Sequence, residues 1–203
     1  DADPTVHRLN RYVASHLASV DDVSVATVPA AINCLIVSKL FHNLRKELAH
    51  MSKGKRLIST VTSESTVHLG IEEFEVPNPG PDEVLVAVEA SPINPSDLGL
   101  LLAGADASTV SKSENGLVLS LPDGAVDGLM GRLDRPMPVG NEGAGIVVDA
   151  GTGEEAQALQ GQVVAALAGG MYATHRIVKA RDCLVLGEGT KALDAASCFV
   201  NPL

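Results

Sequence analysis

Two patterns of hydrophobic positions divide the chain near Met51. Before it, apolar side chains recur every three or four residues, as in a helix, at Val6, Leu9, Val13 and Leu17 and again at Ile32, Leu35, Ile36, Leu40 and Leu44. After it, short runs of β-branched residues alternate with turn residues. We therefore predict a helical extension at residues 1–50 and a mainly β domain at residues 51–203.

The β domain is predicted to contain seven or so short strands. They lie at 56–61, 67–74, 84–88, 146–149, 163–167, 174–178 and 183–186, with glycine and proline turns between them. Strands of this length and spacing are typical of a closed or partly open barrel. Short helices are predicted after Pro95, because proline suits a first helical turn, and at 191–199.

Residues 103–138 form a long segment within this strand pattern. Pro122-Asp123-Gly124 is a turn signal between the apolar runs 117–121 and 126–133. The segment is therefore predicted to be a hairpin with a helical return. It could line a substrate pocket, or it could be an inert surface insertion, since loops tolerate added length at little entropic cost.

Composition excludes several kinds of partner. The net charge is -10, which argues against nucleic acid and anionic membranes, and aromatic residues make up only 2%. The acidity lies in the β domain, with 20 acidic and 10 basic side chains, whereas residues 1–50 carry five of each. No apolar run is long enough to span a membrane, and the acidic start does not fit a secretory signal. Three cysteines without paired spacing fit a reducing cytoplasm.

Five fragments together carry a family resemblance. They are PGPDEVLV at 79–86, INPSD at 93–97, GNEGAG at 140–145, GQVVA at 161–165 and GMYA at 170–173, and FVNPL at 199–203 then looks like the segment leading into a cofactor domain. In this order they resemble the medium-chain dehydrogenase/reductase superfamily, in its zinc-free branch of quinone oxidoreductases and 2-enoyl thioester reductases. The resemblance implies a GroES-like partly open barrel as the catalytic domain.

A catalytic zinc does not suit these motifs. Zinc needs about three nitrogen, sulfur or carboxylate ligands and an open position. Where zinc-dependent relatives have a cysteine and a histidine, the chain has Asn94 and Asn141, and neutral amides are poor zinc ligands but good hydrogen-bonding groups. We therefore predict no metal site.

The resemblance implies hydride transfer from NADPH to a quinone or an α,β-unsaturated carbonyl. Hydrogen-bond donors must then hold the charge that develops on the substrate oxygen. Asn94, Ser96 and Asn141 are the candidates for orienting substrate or nicotinamide, and Asn94 and Asn201 are the candidates for cofactor contact. Asp97 and Glu142 are expected to orient neighbours or accept from backbone amides, because an ionised carboxylate cannot donate.

The glycines of the 140–145 motif have two readings. A nucleotide-binding loop needs a preceding strand and a following helix. Because β-branched Ile146-Val147-Val148 follows, we interpret the motif as part of a barrel strand in which glycine lets backbone approach closely. A dinucleotide-binding fingerprint is not found in the 203 residues, and the resemblance places it beyond Leu203.

One departure from the enoyl thioester reductase pattern favours quinones and enones over acyl thioesters as substrates. Enoyl thioester reductases place a tyrosine proton donor shortly after the INPSD motif, where the chain instead has Gly104-Ala105-Asp106-Ala107. Tyr172 is the tyrosine left in the barrel region and is a candidate proton donor or pocket residue, although packing at a turn is the simpler role.

The sequence thus predicts the catalytic-domain portion of a zinc-independent, NADPH-dependent cytoplasmic oxidoreductase, inactive without its cofactor domain. The alternative is a GroES-like barrel that acts without redox chemistry as a binding or assembly module. Residues 1–50 are then either a docking arm through which the chain forms a homodimer, or upstream sequence with no role in the barrel.

Overall fold

The structure, a computed structural model, describes residues 53–200. Ten strands dominate these residues: β1 (Lys53–Val61), β2 (Thr66–Glu75), β3 (Glu83–Ala90), β4 (Asp106–Ser113), β5 (Gly116–Ser120), β6 (Met137–Pro138), β7 (Glu142–Ala150), β8 (Val163–Leu167), β9 (His175–Lys179) and β10 (Cys183–Val185). They form two five-stranded sheets in the orders β4-β5-β2-β1-β6 and β10-β8-β7-β3-β9. The predicted mainly β architecture is confirmed.

The second sheet is built around β3. Val84, Leu85 and Val86 are all completely buried, although consecutive side chains of a strand point to opposite faces. Both faces of β3 are therefore covered, as expected for a central strand flanked by β7 and β9. The core beside it contains Val147, Ala156, Val164 and Met171.

The two sheets meet where β1 passes the loop before β9. The Leu57 amide donates to the Tyr172 carbonyl at 2.8 Å, and the Thr174 amide donates to the Lys55 carbonyl at 2.8 Å. These backbone bonds join β1 of the first sheet to the segment that leads into β9 of the second sheet. The described chain is consequently a curled half-barrel, in agreement with the predicted partly open barrel.

Helices are few and short. They are α1 (Pro95–Leu102), α2 (Glu154–Ala158), α3 (Ala192–Ala195) and two 3₁₀ helices at Ala125–Arg132 and Ala180–Asp182. In α1, Pro95 occupies the first turn and Asp97 adds a negative charge there, which suits the positive end of the helix dipole. The helix predicted after Pro95 is confirmed, whereas the one predicted at 191–199 is limited to α3.

The 103–138 segment differs from its prediction in one respect. Its hairpin is formed by β4 and β5, which precede the Pro122-Asp123-Gly124 turn, and the helical return is the 3₁₀ helix Ala125–Arg132. Leu121, Val126 and Leu129 pack with Val61 and Val67 of the first sheet. The Arg132 guanidinium donates to the Leu100 carbonyl at 2.8 Å, near the end of α1 where helix carbonyls lack partners.

The predicted helical extension at residues 1–50 and the cofactor candidate Asn201 lie outside the described residues. Within residues 53–200, no helix has the length and apolar character needed to cross a membrane.

Candidate active site

Asp97 ties the two sequence motifs together. Its side chain is 1% exposed, and its Oδ2 accepts the Asn94 backbone amide at 2.8 Å. Its Oδ1 accepts the Asn141 backbone amide, also at 2.8 Å. The start of α1 and the residue before β7 are therefore fixed to one carboxylate, which confirms that Asp97 holds backbone amides.

Glu142 is a second buried acceptor beside it. The side chain is completely buried, and its Oε1 accepts from Asn94 Nδ2 at 2.9 Å. Its Oε2 accepts the backbone amides of Phe199 and Val200 at 2.8 and 3.1 Å. Glu142 thus orients the Asn94 amide, as predicted. Its connection to residues 199–200 was not predicted, because it joins segments that are distant in sequence.

Asn141 and Ser96 form a hydrogen-bonded pair at the surface of this buried cluster. Asn141 Nδ2 donates to Ser96 Oγ at 3.0 Å. Asn141 is half-buried and Ser96 is exposed, whereas Asn94 is 2% exposed. The structure therefore brings the three candidates into one cluster but presents Ser96 and Asn141, rather than Asn94, to solvent.

Tyr172 lies at the edge of the same cluster. Its hydroxyl donates to the Pro92 carbonyl at 2.9 Å. Burial, and then the nearby Asp97 carboxylate, raise the pKa of Tyr172 to about 12. Its backbone amide lies so close to Gly140 that a Cβ at position 140 would be 2.6 Å away. A tyrosine held in this way gives up its proton reluctantly, which agrees with a packing role.

The glycines of the second motif allow β7 to approach its neighbours. A Cβ at Gly145 would lie 2.0 Å from the Ala87 carbonyl oxygen, and one at Gly143 would lie 2.5 Å from Ser91 Oγ. Both glycines lie in β7 rather than in a loop before a helix. The barrel-strand interpretation is confirmed.

The donor set does not fit a zinc ion. In the described part of the chain, no three His, Cys, Asp or Glu side chains are grouped so that they could hold a metal. The amide nitrogens of Asn94 and Asn141 donate hydrogen bonds to Glu142 and Ser96, and a neutral amide oxygen is a poor ligand for zinc. The cluster is an array of hydrogen bonds.

Comparison with known families identifies the fold. Residues 80–188 match the family model of the alcohol dehydrogenase GroES-like domain. The chain belongs to the alcohol dehydrogenase GroES-like domain family. The resemblance drawn from the sequence motifs is confirmed at this level, and the cluster around Asp97 and Glu142 lies within a GroES-like domain.

Solved structures resemble this GroES-like domain as part of longer chains. A candidate NADPH:quinone reductase from Bacillus thuringiensis is 22% identical with a TM-score of 0.51, over 74% of this chain and 39% of its own. An oxidoreductase candidate from Mycobacterium abscessus is 21% identical with a TM-score of 0.51, over 74% and 40%. A candidate NADPH:quinone reductase from Mesorhizobium loti is 26% identical with a TM-score of 0.49, over 74% and 41%.

The chain therefore spans about two fifths of the length of the solved structures that it matches. No curated protein sequence matches it significantly.

Proposed function

We propose that this GroES-like domain is the catalytic-domain portion of a zinc-independent, NADPH-dependent oxidoreductase that reduces quinones or α,β-unsaturated carbonyls. The observation that carries the proposal is the Ser96–Asn141 pair, anchored by Asp97, in the two motifs where zinc-dependent relatives have metal ligands. The name of the Bacillus thuringiensis structure is consistent with this cofactor and acceptor.

Ser96 is suited to stabilise charge on a substrate oxygen. Reduced nicotinamide supplies a hydride, and its addition to the electron-poor carbon of a quinone or enone leaves negative charge on the conjugated oxygen. Ser96 Oγ accepts from Asn141 Nδ2, and a hydroxyl that accepts one hydrogen bond keeps its own O–H to donate. We assign this O–H the role of donor to the developing oxyanion.

Asn141 supports that role through its own anchor. Its backbone amide is fixed to Asp97 Oδ1, so its side chain starts from a defined position before substrate arrives. Donors that are placed in advance need not reorganise during the reaction, and this is the main source of electrostatic catalysis. Asn141 is therefore a positioning residue for Ser96, and its remaining N–H is a second candidate donor to substrate or nicotinamide.

Asn94 and Tyr172 take supporting roles in the proposal. Asn94 is buried and its Nδ2 is engaged by Glu142, so it orders the start of α1 rather than contacting substrate. Tyr172 donates to the Pro92 carbonyl and its pKa is raised to about 12, so solvent rather than Tyr172 supplies the proton that completes the reduction.

The test is NADPH oxidation by the longest natural chain that contains these residues, with 1,4-benzoquinone, an enone or an enoyl thioester as acceptor. We expect turnover with the quinone or the enone. Ser96→Ala should lower kcat/KM by about 10²-fold, the effect of deleting one oxyanion donor. Asn141→Ala should lower it to a similar or smaller extent.

Asn78→Ala is the matched control, since Asn78 is an exposed loop asparagine outside the cluster. It should leave kcat/KM unchanged. Loss of activity in all three variants equally, or full activity in Ser96→Ala, would contradict the assignment. Absence of NADPH binding and of turnover with every acceptor would favour the alternative of a non-catalytic barrel module.

A further inference from the structure

A cavity of about 290 Å³ lies where the first and second sheets meet, and none of the candidate active-site residues lines it. We call it the arginine cavity and define it by six of its lining residues: Arg56, Phe74, Leu85, Pro138, Arg176 and Ile177. Its volume is near the lower end of the range for ligand pockets, roughly 300 to 1,000 Å³. The space suits a small molecule of about ten heavy atoms, not a nucleotide.

Arg176 has little compensation for its charge. It is the second residue of β9, lies opposite Val86 of β3, and is half-buried. Its Nη2 donates to the Ala168 carbonyl in a long contact of 3.5 Å. Its Nε is buried, and no acceptor within residues 53–200 is in hydrogen-bonding reach of it. A buried cationic donor without an acceptor is costly, and an anion beside the guanidinium would offset part of that cost through charge attraction.

Arg56 is differently placed in the same cavity. Its Nε donates to Glu72 Oε2 at 2.6 Å, and its guanidinium lies 5.1 Å from the centre of the Phe74 ring. The charge of Arg56 is therefore balanced, and its position is fixed by an ion pair and a cation–π contact. Burial, and then the nearby Arg56, lower the pKa of Arg176. The two guanidiniums thus repel each other across the cavity.

Apart from the two arginine side chains, the walls of the arginine cavity are mainly apolar. Phe74, Pro138 and Ile177 supply carbon surface. His175 also lines the cavity, and burial lowers its pKa. Glu75 is the carboxylate of the lining, and it is exposed, so solvent screens its charge.

We propose that the arginine cavity binds a small carboxylate with an apolar body, of the size of benzoate, through the guanidinium of Arg176. The planar guanidinium matches a carboxylate with two parallel hydrogen bonds, and the apolar walls receive the ring or branched chain. A carboxylate, with its single negative charge, suits the one uncompensated cation better than phosphate does. Phosphate carries more charge and needs more hydrogen-bond donors.

The experiment is an NMR titration of the full chain with sodium benzoate, monitored on the arginine Nε–H signals. We expect saturable binding with a Kd in the millimolar range, as is usual for a ligand of this size, and a shift of the Arg176 Nε–H. Benzamide has the same shape but no charge to pair with Arg176, so it should bind at least about tenfold more weakly. A tenfold difference corresponds to about 1.4 kcal/mol of binding free energy.

Two variants and one control complete the design. Arg176→Met should lower benzoate affinity at least about tenfold, and Arg176→Lys, which keeps the charge but removes the planar fork, should lower it by a smaller factor. Arg181→Met is the matched control, because the Arg181 side chain is 71% exposed beside Asp182 and does not line the cavity. It should leave benzoate binding unchanged.

Four results would overturn the proposal. They are equal binding of benzoate and benzamide, unchanged benzoate affinity in both Arg176 variants, tighter binding of inorganic phosphate than of benzoate, and no saturation by benzoate.

Discussion

Glu142→Gln replaces the buried carboxylate that links α1 to residues 199–200 by a neutral amide with a single acceptor oxygen. The carboxylate accepts three hydrogen bonds, from Asn94 Nδ2, the Phe199 amide and the Val200 amide. A glutamine side chain has one oxygen and one NH₂ group. If its oxygen keeps the two backbone amides, its NH₂ faces the NH₂ of Asn94, and if it turns over, its NH₂ faces both backbone donors.

The cost can be worked from these contacts. In the better orientation one charge-assisted hydrogen bond is lost, which is worth about 1.5–3 kcal/mol, and the remaining two lose their charge. Rotation of the Asn94 amide would restore a partner only by disturbing the other interactions that Asn94 makes. We therefore expect the free energy of unfolding to fall by about 2–3 kcal/mol.

Urea unfolding followed by circular dichroism measures this loss, and hydrogen exchange locates it. The amides of Phe199 and Val200 should lose protection more than those of β3. Glu89→Gln is the control, since Glu89 is an exposed residue of the same sheet, and it should change the stability by less than about 0.5 kcal/mol. A change below that value in Glu142→Gln, or unaltered exchange at residues 199–200, would refute the reasoning.

Two further predictions concern the backbone of β7 and Tyr172. Gly145→Ala should lower the free energy of unfolding by at least about 3 kcal/mol, because the new Cβ meets the Ala87 carbonyl, whereas Gly128→Ala, with nothing within 4 Å, should have little effect in the same urea measurement. In an absorbance titration, the folded chain should show a tyrosine that ionises near pH 12 and that is missing from Tyr172→Phe. The folded pKa of Tyr172 is above its unfolded value of about 10, so its contribution to stability is complete below pH 10 and is lost as the pH rises toward 12. The free energy of unfolding of Tyr172→Phe should therefore fall less than that of the unsubstituted chain between pH 10 and pH 12.

The sequence was most informative where burial imposes a pattern. The runs around Val84 and Val164 could be recognised as strands because they are β-branched and continuous, and they lie in β3 and β8. The β7 glycines were interpretable because β-branched residues follow them. By contrast, β4 was missed because all eight of its residues are exposed, so that it has no alternation of apolar and polar positions.

The site was predictable in its members but not in its geometry. That Asp97 and Glu142 accept hydrogen bonds follows from carboxylate chemistry. Which of Asn94 and Asn141 faces solvent depends on contacts with β7 and residues 199–200, which no local pattern encodes. The arginine cavity could not be predicted for the same reason. In the sequence Arg176 is an ordinary strand residue, and Arg56, which lines the same cavity, lies in a strand of the other sheet.

The measurement that tests the central claim most directly is NADPH oxidation with 1,4-benzoquinone after exhaustive dialysis against a chelator, with the zinc content of the same sample determined. Asn94 and Asn141 provide hydrogen-bonding amides where a catalytic zinc would need ligands. The account predicts unchanged kcat/KM in metal-free protein and no gain when zinc is returned. Activity that disappears with the chelator and returns with one equivalent of zinc would contradict it.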